Sequence, residues 1–303
     1  RPNQFCNLTE IVVRAGDTVN TLTRKIKVAT LLGTIQSTFT NFGYLRKVWQ
    51  DNTEEERLLG VSLTGIMDSE LLNGKEAGLE KTLEKLKKVA VDCNKEYADK
   101  FGINQSTAIT CVKPSGTVSQ LVDSASGIHA RHNPYYIRTV RGDNKDPLTE
   151  FLKASGIPNE ADVMKKEHTT VFSFPMMAPK GSVCRTDMTA IEQLEIWKTY
   201  AKHWCEHKPS VTISVKEEEW VPVGAWCWEN FEYLSGVSFL PFSDHTYQQA
   251  PYQDIDEKTY KKLVKAMPTT IDWTKLQDFE KEDNTKGSQE LACTAGVCEL
   301  VDI

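Results

Sequence analysis

Residues 107–118 read Thr-Ala-Ile-Thr-Cys-Val-Lys-Pro-Ser-Gly-Thr-Val, and this stretch decides the fold. The short apolar, β-branched run at its start predicts a buried strand over residues 107–112. Pro114 then begins a turn, and Gly116 lets another group approach the backbone closely. A helix is expected to begin near Thr117. A strand that passes through a tight turn into a helix is the repeating unit of α/β proteins.

The same alternation of strand and helix extends outward from this stretch. Further strands or extended segments are predicted over residues 6–13, 58–67, 129–141, 169–174, 210–215 and 236–240. Helices are predicted over residues 18–49, 78–97, 146–154 and 187–203. We expect Asp17 to cap the first helix, whose apolar face consists of Val28, Leu31, Leu32, Ile35 and Phe39. This order favours an α/β fold with mostly parallel strands.

Bulk composition excludes several classes of protein. The 303 residues carry a net charge of −6 and no block of consecutive basic residues, so we expect no nucleic-acid partner. No stretch approaches the ~20 apolar residues of a membrane helix, so no membrane partner is expected either. The eight cysteines are scattered, which favours reduced thiols and a cytoplasmic location. The chain begins at Arg1 and is expected to be the interior of a longer gene product.

A polar run separates the last residues from the rest. Residues 280–289 lack apolar anchors and predict a mobile linker, so we expect a domain over residues 1–279 and a tail over 280–303. Cys293 and Cys298 are five residues apart with Gly296 between them, a spacing that lets the two sulfurs meet. The pair suits a thiol–disulfide shuttle. The alternatives are two incidental cysteines and a metal site.

Three other groups of residues are candidates for chemistry. Hydroxyls and free amides at Ser115, Gly116 and Thr117 would cradle an anion, or they simply cap a helix. Cys6 opens a predicted buried strand, where a cysteine is most often a small apolar residue. The pairs His129 with His132 and Cys205 with His207 lack further ligands, so no metal site is predicted.

Several motifs, taken together and in order, resemble one family. They are residues 6–12 (Cys-Asn-Leu-Thr-Glu-Ile-Val), 60–68, 113–117, 126–138, 208–212, 236–241, 247–252 and the Cys293-x4-Cys298 pair. The ordered set resembles the adenosylcobalamin-dependent (class II) ribonucleotide reductases, in the monomeric branch that uses triphosphates. It covers nearly the whole chain.

The resemblance implies the second half of a ten-stranded α/β barrel, followed by a flexible redox tail. It also implies adenosylcobalamin as the cofactor, a cysteine thiyl radical that removes the ribose 3′-hydrogen, and ribonucleoside triphosphates as substrates. Cys6 would be one of two reducing cysteines, and Ser115, Gly116 and Thr117 would hold the substrate phosphates. Cys293 and Cys298 would reduce the active-site disulfide and be reduced in turn by thioredoxin or a similar dithiol.

One family motif is absent. The Asn-x-Cys-x-Glu sequence that carries the radical cysteine should lie just before Cys6, where only Arg1–Phe5 stand. We therefore expect this chain to be a fragment that needs a missing N-terminal segment or chain and is inactive alone. The alternative is a non-catalytic nucleotide-binding half that pairs with a separate N-terminal chain. A zinc-binding module is a third class, which the cysteine spacings disfavour.

Overall fold

A computed structural model describes residues 1–242 and 248–280, together with the backbone of residues 293–294 and 297–298. The α-helices are α1 (Val19–Gln36), α2 (Lys47–Glu56), α3 (Leu79–Phe101), α4 (Val118–Leu121), α5 (Pro147–Ala154), α6 (Ala190–His203), α7 (Trp220–Glu229) and α8 (Glu257–Ala266). Short 3₁₀ helices are Ile66–Asp68, Glu217–Glu219 and Trp273–Asp278. The strands are β1 (Asn7–Val12), β2 (Leu59–Thr64), β3 (Thr110–Cys111), β4 (Tyr135–Asp143), β5 (Asn159–Ala161), β6 (Thr169–Met177), β7 (Val211–Val215), β8 (Val237–Pro241), β9 (Tyr252–Asp254), β10 (Cys293–Thr294) and β11 (Val297–Cys298).

The chain forms two units, and each is built from two stretches of sequence. The first unit comprises Arg1–Pro134 and Ala178–Asp244, and the second comprises Tyr135–Met177 and His245–Ile303. In the first unit β1, β2 and β3 form a parallel sheet in that order, while β7 and β8 form a parallel pair. Helices α1 and α3 pack on each other beside the first sheet.

The core of the first unit is apolar and includes two buried tryptophans. Every residue of β2 is buried, as expected for a central parallel strand. Trp197 and Trp204 are fully buried, and their indole N–H groups donate to the carbonyls of Pro209 (3.2 Å) and Cys111 (2.7 Å). Each large ring therefore fills the core while its polar atom is satisfied.

The second unit corrects the expectation of mostly parallel strands. Its sheet runs β5-β6-β4-β9 and every pair in it is antiparallel. The strands β4 and β6 are only partly buried, which suits an antiparallel sheet with a solvated face. Helix α5 lies between β4 and β6 in the sequence, but these strands are antiparallel. Alternation of strand and helix therefore predicted the wrong strand direction in this unit.

The predicted first helix is wrong in length, cap and buried face. Helix α1 ends at Gln36, and α2 begins at Lys47 after residues 37–46, which contain Thr, Asn and Gly. The N-cap is Thr18 rather than Asp17, in a reciprocal capping box with Thr21. The face that packs inward contains Leu22, Ile26, Ala29 and Gly33.

The predicted apolar face of α1 is instead largely exposed. Val28 is 59% exposed, Leu32 55% and Phe39, beyond the end of the helix, 71%. The other predicted helices agree with the structure to within a few residues of their ends. The fold is a mixed α/β one, and the described part of the chain contains no closed barrel. The predicted linker over residues 280–289 lies outside the described residues except for Glu280.

Candidate functional site

Cys6 lies at the start of β1, where its neighbours in the sequence hold it in place. The ring of Phe5 packs against Phe42 and Trp49, with centroids 5.0 Å away in each case. The side chain of Asn7 donates to the carbonyl of Leu58 at 3.0 Å. Cys6 itself is a free thiol and is exposed. It is therefore accessible to a reaction partner, unlike the small buried residue that a cysteine in this position usually is.

The sulfur of Cys6 lies over Gly60 of β2, close to a second sulfur. A Cβ atom at residue 60 would lie 2.9 Å from Cys6 Sγ and 3.4 Å from Cys111 Sγ, so both sulfurs flank the same bare position. The same Cβ would collide with Leu8 Cδ2 at 2.3 Å. Glycine is thus required here because no side chain fits between β1 and β3.

The pKa values of the thiols near Gly60 are raised above the ordinary cysteine value. Burial, reinforced by the neighbouring Cys6, raises the pKa of Cys111 to about 12. Although Cys6 is exposed as a residue, partial burial of its thiol raises its pKa, and the Lys113 ammonium partly opposes this. The Cys205 thiol, fully enclosed near Cys111, has its pKa raised well above the usual value. Chemistry at Cys6 therefore requires a group that takes up or supplies the proton.

Lys113 lies between the sulfurs and the turn after β3. Its ammonium group donates to the carbonyl of Lys208 at 3.2 Å and to Ser210 Oγ at 3.4 Å. The backbone amide of Lys113 donates to Ser62 Oγ at 3.0 Å. This fixes the exit of β3 and holds one positive charge near Cys6.

The loop that contains Ser115, Gly116 and Thr117 presents its backbone to solvent. Ser115 is buried, and its hydroxyl accepts from the Ser119 amide at 3.0 Å, so it caps α4. Gly116 and Thr117 are exposed, and nothing lies within 4 Å of a Cβ built on Gly116. The hydroxyl of Thr117 makes no capping bond. Space and free donors thus remain at Gly116 and Thr117, whereas Ser115 serves the loop itself.

A buried ion pair between Arg131 and Asp68 lies next to the segment that follows this loop. The guanidinium of Arg131 contacts both carboxylate oxygens of Asp68 at 2.8 Å, and both side chains are 3% exposed. Arg131 also contacts Asp123 at 2.8 Å, and Asp68 accepts from the Ala125 amide at 2.8 Å. The segment 123–125 is thereby tied to the end of β2.

His129 connects Ser126, in the segment after α4, to Thr212 of β7. Its Nδ1 contacts the Ser126 carbonyl at 2.9 Å, and its Nε2 accepts from the Thr212 amide at 3.0 Å. These partners define one neutral tautomer, with the proton on Nδ1. Burial lowers the pKa of His129, which favours the neutral form further. The imidazole is a structural link and not a metal ligand.

The predicted site residues lie in different parts of the chain. Cys6 directly precedes β1 and the Ser115–Thr117 loop follows β3, at opposite ends of strands in the same parallel sheet of the first unit. Cys293 and Cys298 face each other across the antiparallel pair β10–β11 of the second unit, and their side chains lie outside the described residues. The roles of all six residues stay predictions.

The sequence did not indicate that Cys111 and His207 lie beside Cys6, or that Asp68 pairs with Arg131. The register of the strands brings Cys111 to Cys6, and hydrogen bonds to Thr110 of β3 hold the loop that carries His207 there. A single sequence carries no signal for either arrangement. Within the described residues, no group of three or more His, Cys, Asp or Glu side chains is arranged to hold a metal ion. No helix in that part of the chain is long and apolar enough to span a membrane.

Comparison with known proteins identifies relatives, although no family model matches the chain. It is 29% identical over 231 residues to the adenosylcobalamin-dependent ribonucleoside-triphosphate reductase of Lactobacillus delbrueckii subsp. bulgaricus, which covers 73% of this chain and 30% of the relative. It is also 29% identical over 269 residues to a probable enzyme of the same name from Dictyostelium discoideum, covering 84% of this chain and 33% of the relative. The chain is a homologue of the adenosylcobalamin-dependent ribonucleoside-triphosphate reductases.

The fold agrees with this relationship. A crystal structure of a B12-dependent (class II) ribonucleotide reductase superposes with a TM-score of 0.79 at 24% identity, covering 92% of this chain and 42% of that chain. The likeness shows a shared fold. The chain spans about a third of the length of the curated reductases that it matches.

Proposed function

We propose that this chain is the C-terminal part of a reductase that converts ribonucleoside triphosphates to 2′-deoxyribonucleoside triphosphates in the cytoplasm, for DNA synthesis. The observation that carries the proposal is the exposed free thiol of Cys6 beside Lys113, on the sheet whose third strand leads into the Ser115–Thr117 loop. A reducing thiol and an anion-binding loop are the two functions that such an enzyme requires of this half.

Each predicted residue then has a role in binding or electron transfer. The amides of Gly116 and Thr117 and the Thr117 hydroxyl would bind the substrate phosphates, and Ser115 would hold the loop that presents them. Cys6 would be one of two cysteines that together deliver two electrons. Lys113 would favour the thiolate of Cys6 and add positive charge near the phosphates.

Cys293 and Cys298 would form the tail dithiol that restores Cys6. Cross-strand partners in an antiparallel pair have Cα atoms about 4.5–5.5 Å apart, which is within the range that a disulfide requires. The pairing of β10 with β11 supports this role. Thioredoxin or a similar dithiol would reduce the tail in turn, and the tail over residues 280–303 would act apart from residues 1–279.

Adenosylcobalamin, for which the relatives are named, would supply the radical by breaking its cobalt–carbon bond. The described residues do not fit a site for it. A cavity of about 870 Å³ between β1 and α1 has one buried side-chain atom without a hydrogen-bond partner among the described residues, Thr9 Oγ1. One such atom is too little to hold a large cofactor.

The remaining strands of the barrel would come from a preceding segment or chain. Within the described residues β1 pairs only with β2, so its other edge is open, and Leu8 and Val28 are exposed near it. An open edge beside apolar surface is what half of a barrel would leave. The alternative, a non-catalytic half that only binds nucleotide, would keep the loop but need no reactive Cys6.

Turnover of the longer polypeptide that contains this chain tests the proposal. With adenosylcobalamin, a ribonucleoside triphosphate and thioredoxin, we expect deoxynucleotide from the longer polypeptide and none from residues 1–303 alone. The Cys6→Ser variant should lose multiple turnover. Undiminished turnover by Cys6→Ser would contradict the role of Cys6, and turnover by residues 1–303 would contradict the need for a further segment.

A further inference from the structure

We propose that His207 exchanges a proton with the sulfur of Cys6 and is a catalytic residue of its thiol–disulfide chemistry. The inference rests on the proposed function of Cys6 and adds a residue to that site. The imidazole Nε2 lies 3.9 Å from Cys6 Sγ, within the range of a hydrogen bond to sulfur. The two residues are 201 positions apart in the sequence, so the fold brings them together.

The loop that carries His207 is fixed to the strand next to Cys6. The amides of Glu206 and His207 donate to the carbonyl of Thr110 at 2.9 and 3.0 Å. The carboxylate of Glu206 accepts from the Ile109 amide at 2.8 Å, and Trp204 anchors the loop through the Cys111 carbonyl. None of these bonds uses the imidazole. The ring of His207 is therefore held in place by its backbone and is free for another function.

The surroundings of Cys6 leave His207 as the group suited to accept its proton. Lys113 is cationic and lacks a lone pair while protonated, and Cys111 is a buried thiol with a pKa of about 12. A neutral imidazole accepts a proton near pH 7, and an imidazolium supplies one. Because burial raises the pKa of the Cys6 thiol, a neighbouring proton acceptor is needed at neutral pH.

The proposed exchange starts from the tail dithiol of Cys293 and Cys298. A tail thiolate attacks the partner sulfur of a disulfide that includes Cys6, and the bond to Cys6 breaks. Cys6 leaves as a thiolate and takes a proton from the His207 imidazolium. The second tail thiol resolves the mixed disulfide, so two electrons pass from the tail dithiol to the active-site disulfide. When Cys6 is oxidised again, the neutral imidazole takes its proton back.

The test measures the rate at which Cys6 in the purified chain reacts with a dithiodipyridine, resolved by peptide mass spectrometry across pH 5.5–9. In this probe reaction the Cys6 proton passes to His207 as Cys6 displaces a pyridine thiolate, which then takes a proton from solvent to become thiopyridone. At pH 7 we expect His207→Ala to react at least about tenfold more slowly than the wild type. The wild-type profile should show an inflection that the variant lacks.

Two further variants keep the result interpretable. His203→Ala removes a histidine that contacts Glu84 on the surface and should react like the wild type. His207→Gln keeps a polar side chain that cannot accept a proton at this pH, and should be as slow as His207→Ala. Equal rates and profiles for the wild type and His207→Ala would overturn the inference, as would full reactivity of His207→Gln. Because the probe needs neither nucleotide nor cobalamin, failure of the reductase proposal would leave this measurement unaffected.

Discussion

Arg131 and Asp68 form an ion pair that is almost wholly removed from solvent, and this makes their loss costly. Arg131→Ala would leave the Asp68 carboxylate buried without its cation, so we expect a loss of about 3–5 kcal/mol in the free energy of unfolding. Lys88→Ala, which removes an exposed pair with Asp92, should cost less than about 1 kcal/mol. Denaturant titration of both variants measures the difference, and similar small losses would show that the buried pair is not needed.

His129 makes stability depend on pH in a defined direction. Burial lowers its pKa in the folded protein, while the unfolded chain has the ordinary value of ~6.5. As the pH falls below ~6.5, the unfolded chain binds a proton that the folded protein does not yet bind, so stability decreases. The decrease from pH 7.5 to 5.5 should be smaller in His129→Gln than in the wild type. His168→Gln, at an exposed histidine, is the control, and an unchanged slope in His129→Gln would refute the assignment.

At the scale of elements, Gly116 in the loop between β3 and α4 can be compared with Gly43, which lies between α1 and α2. A methyl group at Gly116 meets no protein atom, and the same holds at Gly43. Gly116→Ala should therefore fold normally yet weaken binding of a nucleoside triphosphate about tenfold, because the Cβ occupies the approach of a phosphate oxygen. Gly43→Ala should bind like the wild type. Calorimetric titration with ATP decides it, and equal affinities would remove Gly116 from the site.

Helix α1 separates a packing face from an exposed apolar face. Leu22 is fully buried, so Leu22→Ala should lower the free energy of unfolding by about 2–5 kcal/mol.

Val28 and Leu32 lie on the exposed face beside the open edge of β1, and we expect the isolated chain to self-associate through this face. A Val28→Gln, Leu32→Gln variant should sediment as a smaller species at unchanged stability. A wild-type chain that stays monomeric across the micromolar range would contradict this expectation.

For the whole molecule, the sequence predicted elements better than their arrangement. The helices predicted over residues 78–97 and 146–154 follow from local patterns, and the structure has α3 and α5 there. The strand predicted over residues 107–112 is present but shorter, at Thr110–Cys111. The antiparallel β4–β6 pair and the exposed face of α1 depend on partners distant in sequence. The contact of Cys6 with His207 across 201 positions is of the same kind. Local propensity and periodicity carry no information about such pairings.

The interleaving of the two units has a consequence for synthesis on the ribosome. Residues 135–177 emerge before the first unit has received β7 and β8, and they wait for β9 to complete their own sheet. The first unit is therefore complete only after residue 244, and the second only after the residues that follow. Contacts between segments so far apart slow folding and prolong the exposure of apolar strands. A pause in translation near residue 177 would leave two half-built cores on one nascent chain, the state most in need of a chaperone.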